Sequence, residues 1–595
     1  MYIEDLLRKH TADAVEQLYG VCIEQATVTV SEPPKQFTGD FSIVVFPYAK
    51  ISRKAPPVVG SEIAQYLQQQ IPQIANCQVV QGFINVTFTP NFWVDAFNAI
   101  AQTPNYGQQS AKNQTIVLEY CGPNTNKALH LGHIRNMLLG YATTQILRFN
   151  GYTVHPVCVY NDRGINICKS MLAWQKLGNN ETPTDAGLKG DRLVDKYYVL
   201  FAELLKPQTE AVMEANPTIT DKKAAEKLTP LMREAEEMLL KWEANDPETR
   251  QLWAKMNGWV YEGFEQTYQK LGVAFEKNYY ESEMYLLGKK LIQEGLDKGV
   301  FVQEPDKSVQ IDLTDIGLDK KILLRSDGTS VYITQDLGTA MLRHQDFAMN
   351  KMIYVVANEQ EYHFKVLFEC IKRLGGTFAD GLYHLSYGMV ELPDGKMKSR
   401  EGTTVIADDL IAQMIDEAAE QTQSLSKIAD FTPTEAQQLF ETLGLGALKF
   451  FILRVNPKKT ILFNPKESID LHGFTAPFIQ YTYTRIRSMF RKYGNEVVAP
   501  YTSPTDLAPE ERELISVIYH YPKTVIEAGN NYDASVLANY AYQVAKIFNK
   551  FYNDCPVLNA PDPNTQLFRL HLSQTAARII QSAMQLLGIN MPERM

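Results

Sequence analysis

Two short segments hold residue types that can act on phosphate. His130 and His133 are separated by Leu131 and Gly132, ahead of apolar residues at Ile134, Met137, Leu138, Ala142 and Ile146. That spacing has the 3.6-residue period of a helix. The pair therefore sits at a helix N-terminus, where unpaired N–H groups and the positive end of the dipole stabilise a phosphate chain. Two imidazoles there can add hydrogen bonds to the charge that develops as a phosphoryl bond breaks, and Gly132 lets a flat ring such as adenine approach the backbone. The second segment is GKMKSREGTTV, residues 395–405, with Lys396, Lys398, Ser399 and Arg400 between glycines. A polar loop of this kind can close over a triphosphate and neutralise it. Each segment has a plain alternative: capping or packing histidines in the first, a solvated basic turn in the second. No third ligand accompanies the histidines at a spacing that suits zinc.

Such residues need a scaffold. TIVLEY, residues 115–120, is a short apolar run ending in an acid. The loop CGPNTNKALHLGH comes next, then the helix, which closes at Asn150 and Gly151, then a second apolar run, VHPVCVY. Strand, loop, helix, strand is the βαβ unit of a parallel sheet, with ligands at the carboxyl end of its first strand. KMIYVVA and the helix behind it, with Phe364, Leu367, Phe368, Ile371 and Leu374 in register and Gly375 at its end, make a second such half. Between the halves, residues from about 175 to 275 are rich in Glu, Lys and Ala and predict a helical insertion, and KILLRSDGTSVYI predicts a hairpin turning at 326–329.

Residues 1–108 predict a small α+β domain: a leading amphipathic helix, an extended SEPPKQFTGDFSI segment, a helix around 63–67 and an alternating strand at Ile84, Val86 and Phe88. QTPNYGQQSAKNQ then reads as a linker. Beyond about 405 amphipathic helical patterns run to the C-terminus. The expected fold class is thus α/β, a split Rossmann-type nucleotide-binding catalytic domain over 112–405 with its insertion. The small N-terminal domain stands before it and an all-α domain, 406–595, after it.

At 595 residues the chain has room for about four domains. Its 45% hydrophobic and 21% charged residues exclude a disordered or fibrous protein. No uninterrupted apolar run of about 18 residues occurs, and MYIEDLLRKH lacks the apolar centre of a signal peptide. These features predict a cytoplasmic location and no membrane partner. Seven cysteines without a C-x-x-C pair offer neither a disulfide framework nor a structural zinc site. The 58 Lys and Arg against 68 Asp and Glu leave a net −10, which would argue against a nucleic-acid partner. The average hides an exception: from Lys449 to Lys492 nine bases face two acids, with Arg485, Arg487, Arg491 and Lys492 crowded at the end. A solvated basic face is the alternative reading.

Together, the two phosphate segments, the two half-folds and the insertion resemble a class I aminoacyl-tRNA synthetase. HLGH at 130–133 is similar to that family's His-Ile-Gly-His signature, and KMKSR at 396–400 to its Lys-Met-Ser-Lys-Ser signature. Within the class the chain resembles the arginyl-tRNA synthetases. EYCGPNTNKALHLGH is similar to their extended first signature and GFINVTF and PPKQFTGDF to their additional N-terminal domain. GFTAPFIQYTYTRIRS is similar to the first helix of their anticodon domain, and LLGINMPERM to their ending.

The resemblance implies a ligase that joins L-arginine and ATP into arginyl-adenylate and pyrophosphate, then transfers arginine to the 3′-terminal adenosine of tRNA-Arg. It implies Mg²⁺ on the phosphates, no protein-bound structural metal and a monomer. ATP would be held by His130, Gly132, His133, Met397 and Lys398. The family's second loop lysine falls here on Ser399, so Lys127, assisted by Lys396, Lys398 or Arg400, is expected to supply that phosphate contact. Asn124 and Gln360 would hold the ammonium and carboxylate of arginine, with Glu119 lining the same pocket. Arg485, Arg487, Arg491 and Lys492 would track the tRNA backbone. Phe474, Phe478, Tyr481 and Tyr483 would stack on anticodon bases or belong to the core.

A guanidinium is a planar, permanently charged fork that needs carboxylates. Asp336, at a helix start after VYITQ, and Glu281, in YYESEMY, are the candidates, with Tyr332 as a wall that stacks on the guanidinium plane. A helix N-cap and a solvated acid are their respective alternatives. In NDRGIN, 161–166, Asp162 and Gly164 read as pocket or turn residues. Three other classes compete: a synthetase for another amino acid, a small-metabolite nucleotidylyltransferase with the same His-x-x-His fold, and a catalytically silent tRNA-binding paralogue.

Overall fold

The computed structural model describes residues 3–33, 36–391, 405–424, 430–495 and 498–595. The chain forms two compact units. One comprises Met1–Tyr106, Ser488–Tyr521 and Lys546–Ile579, the other Gly107–Arg487, Pro522–Ala545 and Ile580–Met595.

In the first unit a four-stranded antiparallel sheet runs in the order Val30–Ser31, Phe41–Val44, Phe83–Phe88, Ile74–Val80. Ile84, Val86 and Phe88 alternate into the core as their spacing predicts, and all three are fully buried. The strand Ile74–Val80 and the helix Pro90–Ala101 are additions to the predicted elements. That helix is nevertheless signalled, by Thr89 as an N-cap accepting from the Phe92 N–H and by Pro90 at its first position.

The second unit is built on a five-stranded, all-parallel sheet. Its strands are β1 (Thr115–Glu119), β2 (Thr153–Tyr160), β3 (Lys277–Tyr280), β4 (Lys351–Ala357) and β5 (Leu382–Tyr387), in the spatial order β5-β4-β1-β2-β3. Helix α1 (Leu131–Phe149) crosses from β1 to β2. The predicted insertion is helical, and its long member α2 (Gly190–Ala215) is followed by three more helices before β3. Helix α3 (Tyr332–Phe347) leads into β4, α4 (Glu361–Arg373) joins β4 to β5, and α5 (Ala407–Ser424) comes further on. The strand order reverses between β1 and β4, so the loops leaving their carboxyl ends diverge and open a crevice there. Val117, Val157, Met352 and Tyr354 of the sheet join one buried apolar cluster with Leu337 of α3 and Leu367 of α4.

Two expectations change. The predicted hairpin has only its first arm: Lys321–Leu324 pairs antiparallel with Val309–Ile311, and after the turn a single bridge, Leu324 to Ser330, precedes α3. Helix formation from Tyr332 takes the residues that a second arm would need. The region beyond 405 is not purely helical either, because Ile461–Leu462 pairs in parallel with Val390–Glu391.

Candidate active site

The histidines stand at the start of α1, at the β1–β4 crevice. His130 is the N-cap: its Nδ1 accepts the Gly132 N–H at 3.1 Å, while its own backbone N–H donates to His133 Nδ1 at 3.1 Å. The capping alternative is thus real, yet it engages only one nitrogen of each ring. Burial, reinforced by Lys127, pushes His130 down to about 4; burial, with His130 and Lys127, carries His133 well below the usual imidazole range. Both rings are neutral near pH 7, and because each Nδ1 accepts, each proton sits on Nε2. The cap therefore leaves the Nε2–H of each ring outside it, with ring centroids 3.9 Å apart and the ring planes tilted by 42°. A Cβ on Gly132 would come within 2.9 Å of His130 Cε1, so the space that this glycine keeps is for the His130 ring.

Asn136, one turn beyond His133, carries no signal in the sequence pattern. Its Oδ1 accepts from Cys121 N at 2.6 Å, and its Nδ2 donates to Val355 O at 2.7 Å and Tyr387 Oη at 3.0 Å. One buried amide thus fixes α1 against the ends of β1, β4 and β5. Its neighbour Arg135, also buried, donates to the carbonyls of Met389, Pro457 and Lys459 at 2.7–2.9 Å.

Lys127 reaches toward the insertion, its Nζ 5.3 Å from the Tyr198 ring centre on α2. Lys396, Met397, Lys398, Ser399 and Arg400 lie outside the described residues. The chain on the C-terminal side of that loop is held against the histidine segment: Leu131 N donates to Val405 O at 3.0 Å and Ala407 N to Leu129 O at 2.8 Å. The next residues, Asp408 and Asp409, pair with Lys189 and with Arg192 of α2, the latter pair at 2.9 Å.

Four carboxylates form the other end of the crevice. Asp162 is fully buried and accepts from Ser282 N at 2.8 Å, Ser282 Oγ at 2.7 Å and Tyr261 Oη at 2.9 Å. It is therefore a holder of the short helix Glu281–Met284, and Gly164, at φ +104, is the turn before the next helix. Glu281 opens that short helix. It is not the solvated acid of the alternative reading: burial, with Asp162 and Asp336 as neighbouring like charges, pushes its carboxyl up to about 7 against the pull of Arg163. Asp336 is not an N-cap. It is the fifth residue of α3, since the helix begins at Tyr332, and its Oδ2 meets His363 Nε2 at 2.7 Å. Glu119, the last residue of β1, is ion-paired with Arg343, a fully buried side chain of α3. Burial pushes Glu119 up, opposed by Arg343 and aided by Asp336. Only their spacing from Asp336 and Gln360, on helical periods, could have pointed to Arg343 and His363.

Asn124 is exposed on the loop after β1, where Asn161 pairs with it and donates to Gly122 O at 3.2 Å. Gln360 is exposed on the loop after β4, so the two residues flank the crevice from its two defining strands. Tyr332, at the first position of α3, is 79% exposed.

Residues 96–464 match the family of class I tRNA synthetases (R), catalytic domain; 5–88 match the arginyl tRNA synthetase N terminal domain and 479–595 the DALR anticodon binding domain. The arginine-tRNA ligase of Parabacteroides distasonis is 49% identical, and that of Flavobacterium psychrophilum 46%, each over all of both chains. The chain belongs to the arginyl-tRNA synthetase family. Solved structures share the fold at lower identity. The Thermus thermophilus arginyl-tRNA synthetase matches with a TM-score of 0.81 at 23% identity, covering all of both chains. The Plasmodium falciparum arginyl-tRNA synthetase gives 0.77 at 19% over all of this chain and 99% of its own.

Within this arginyl-tRNA synthetase fold the basic run of 449–492 divides. Lys449 is buried, donates to Gly588 O at 2.6 Å and is pushed down to about 8 by burial. Arg454 is half-buried and donates to Phe474 O. Neither can track a phosphate backbone, which corrects the reading of the run as one surface. Arg485, Arg487, Arg491 and Lys492 all lie on the helix Ala476–Tyr493. Arg491 and Lys492 are exposed, whereas Arg487 pairs with Glu593 at 2.6 Å. Tyr483 is buried, in line with the second of the two readings, whereas Phe474 and Phe478 are partly exposed and pack on Tyr542 at 4.7 and 5.1 Å. Among the described residues no helix is long and apolar enough to cross a membrane.

Proposed function

We propose that the β1–β4 crevice carries out the family's reaction, ATP-dependent attachment of L-arginine to tRNA-Arg, through a division of roles among its residues. Arginine lies along the crevice with its guanidinium toward Glu281 and Asp336 and its α-ammonium toward Glu119 and Asn124. Gln360 takes the carboxylate, and Tyr332 covers the guanidinium. One carboxylate oxygen attacks the α-phosphorus of ATP, the bond to the bridging oxygen breaks, and pyrophosphate leaves. No protein nucleophile is needed; the rate comes from alignment and from stabilising the charge on the phosphoryl oxygens. His130 and His133, neutral and protonated at Nε2, donate to those oxygens without giving up a proton. Lys127 supplies the cation that Ser399 cannot, together with Lys396, Lys398 and Arg400, and Met397 contacts the nucleotide. A hydroxyl of the terminal adenosine of tRNA then attacks the carbonyl carbon of the anhydride, and AMP leaves.

Mg²⁺ arrives on the triphosphate as part of the substrate. Among the described residues no group of three or more His, Cys, Asp or Glu is placed to hold a metal. Arg485, Arg487, Arg491 and Lys492 meet the tRNA backbone, the N-terminal domain contributes a further tRNA contact, and the protein works as a cytoplasmic monomer.

The observation that carries the arginine assignment is Glu281, a half-buried carboxylate beside Asp336 that no base pairs with among the described residues. Charging of total tRNA with ATP and Mg²⁺, comparing labelled arginine with the other amino acids, tests it. Arginine alone should be attached; attachment of another amino acid would overturn the pocket, and tRNA binding without charging would overturn the catalytic assignment.

A further inference from the structure

The four carboxylates of the crevice are not equivalent, because the protein engages three of them itself. Asp162 accepts three hydrogen bonds. Asp336 carries His363 on Oδ2. Glu119 carries Arg343 on Oε2, and Arg343 is only 1% exposed, its guanidinium 5.1 Å from the Tyr279 ring centre and 5.8 Å from that of Tyr354. Glu281 has no such partner among the described residues. L-Arginine is cationic at both ends, and the acid end of the crevice offers it more than one carboxylate, so it can bind there in two directions. Only one direction brings its carboxylate to phosphorus. The two cations differ in shape: a guanidinium fork is held best by both oxygens of a carboxylate, whereas an ammonium needs one.

We propose that Arg343 sets the direction in which arginine binds. By occupying one oxygen of Glu119 with a guanidinium of the protein's own, it leaves that end able to take an ammonium but not a second fork. Glu281 with Asp336 then becomes the seat for the substrate's guanidinium. This role rests on the substrate assignment made under Proposed function and deepens it. Arg343 is a positioning residue that acts through Glu119. Asp336 and Arg343 lie seven residues apart, about two turns, on α3. The acid that invites the fork and the base that turns it away are thus carried by one rigid element.

The test is steady-state tRNA charging by the full chain over a range of arginine concentrations. In Arg343→Met, reversed and unproductive binding should lower kcat and KM by the same factor, about tenfold if the exposed edge gains one charge-assisted hydrogen bond, leaving kcat/KM unchanged. A fall in kcat alone, or a rise in KM, would overturn the proposal, because that is what loosened packing produces. Since methionine leaves Glu119 buried without a partner, two further variants accompany it. Arg343→Lys keeps one oxygen occupied by a point cation and should keep kcat. Arg343→Met combined with Glu119→Gln removes the competing edge and should return kcat to that of Glu119→Gln alone; a double variant as slow as Arg343→Met sinks the idea. Failure of the underlying assignment looks different. If Glu281→Gln and Asp336→Asn leave KM for arginine unchanged, the seat itself is misplaced; if both raise it while the Arg343 series departs from this pattern, the seat stands and the directional role falls.

Discussion

The two ends of the crevice are held in opposite ways. At the histidine end, four consecutive residues cap their own helix through backbone N–H groups, and burial keeps both rings neutral. At the acid end, carboxylates from β1, the loop after β2, the short helix after β3 and α3 are gathered from more than 200 residues of chain, and all but Glu281 are held by groups from other segments. A local motif fixes geometry with little help from the rest of the fold. A gathered one works only if distant bases and donors hold their places. The ends should therefore fail differently.

The largest effect is expected at the histidine end. His133→Ala should slow adenylate formation by about 10²–10³-fold, the usual worth of one donor to transition-state charge, and should cost only about 1 kcal/mol of stability, the worth of a cap. Activity near wild type in a folded variant would move the donor role elsewhere. At the acid end, Asp162→Ala leaves two hydroxyls and an N–H without their acceptor and lets the Glu281 helix shift. A lower Tm and a rise in KM for arginine of about tenfold, equivalent to about 1.4 kcal/mol, are expected. An unchanged KM would show that the short helix keeps its place without Asp162.

The pH profiles sharpen the contrast. Glu281, raised to about 7, must be ionised to hold a guanidinium. KM for arginine should therefore rise by about tenfold in all as pH falls from 8 to 6, since a protonated carboxyl gains no charge-assisted bond. Over the same range KM for ATP should stay flat, because His130 titrates near 4 and His133 also lies well below the usual range. Parallel profiles would break the comparison. The smallest effect is expected from Lys449→Met, which should leave KM for tRNA within about twofold, since a cation buried on a carbonyl releases no counterion from a phosphate.

The same contrast explains what could be read from the chain. His130, His133, the βαβ halves and the helical insertion are legible because each is written in residues close together, as a period or a cap. Glu281 and Asp336 follow from the chemistry of a guanidinium, without knowledge of their environment. Asp336 reads as a helix start because helix α3 begins four residues before it, at a tyrosine with no side-chain cap to announce it. Arg343, His363 and Asn136 escape notice because nothing in a sequence says which charged or amide side chain on an amphipathic helix faces inward. Lys449 and Arg454 mislead for the same reason: a count of bases carries no record of burial.

The backbone seam between Leu129–Leu131 and Val405–Ala407 imposes a prohibition of its own. Leu131 and Ala407 are each the first residue of a helix, the position where proline is ordinarily welcome because its missing N–H would have no partner. Here both N–H groups cross to the other segment. Any side chain that fits is tolerated by such a seam, so substitutions cannot loosen it through lost side-chain bonds. Proline alone unpicks it, at two sites where a helix by itself would accept one.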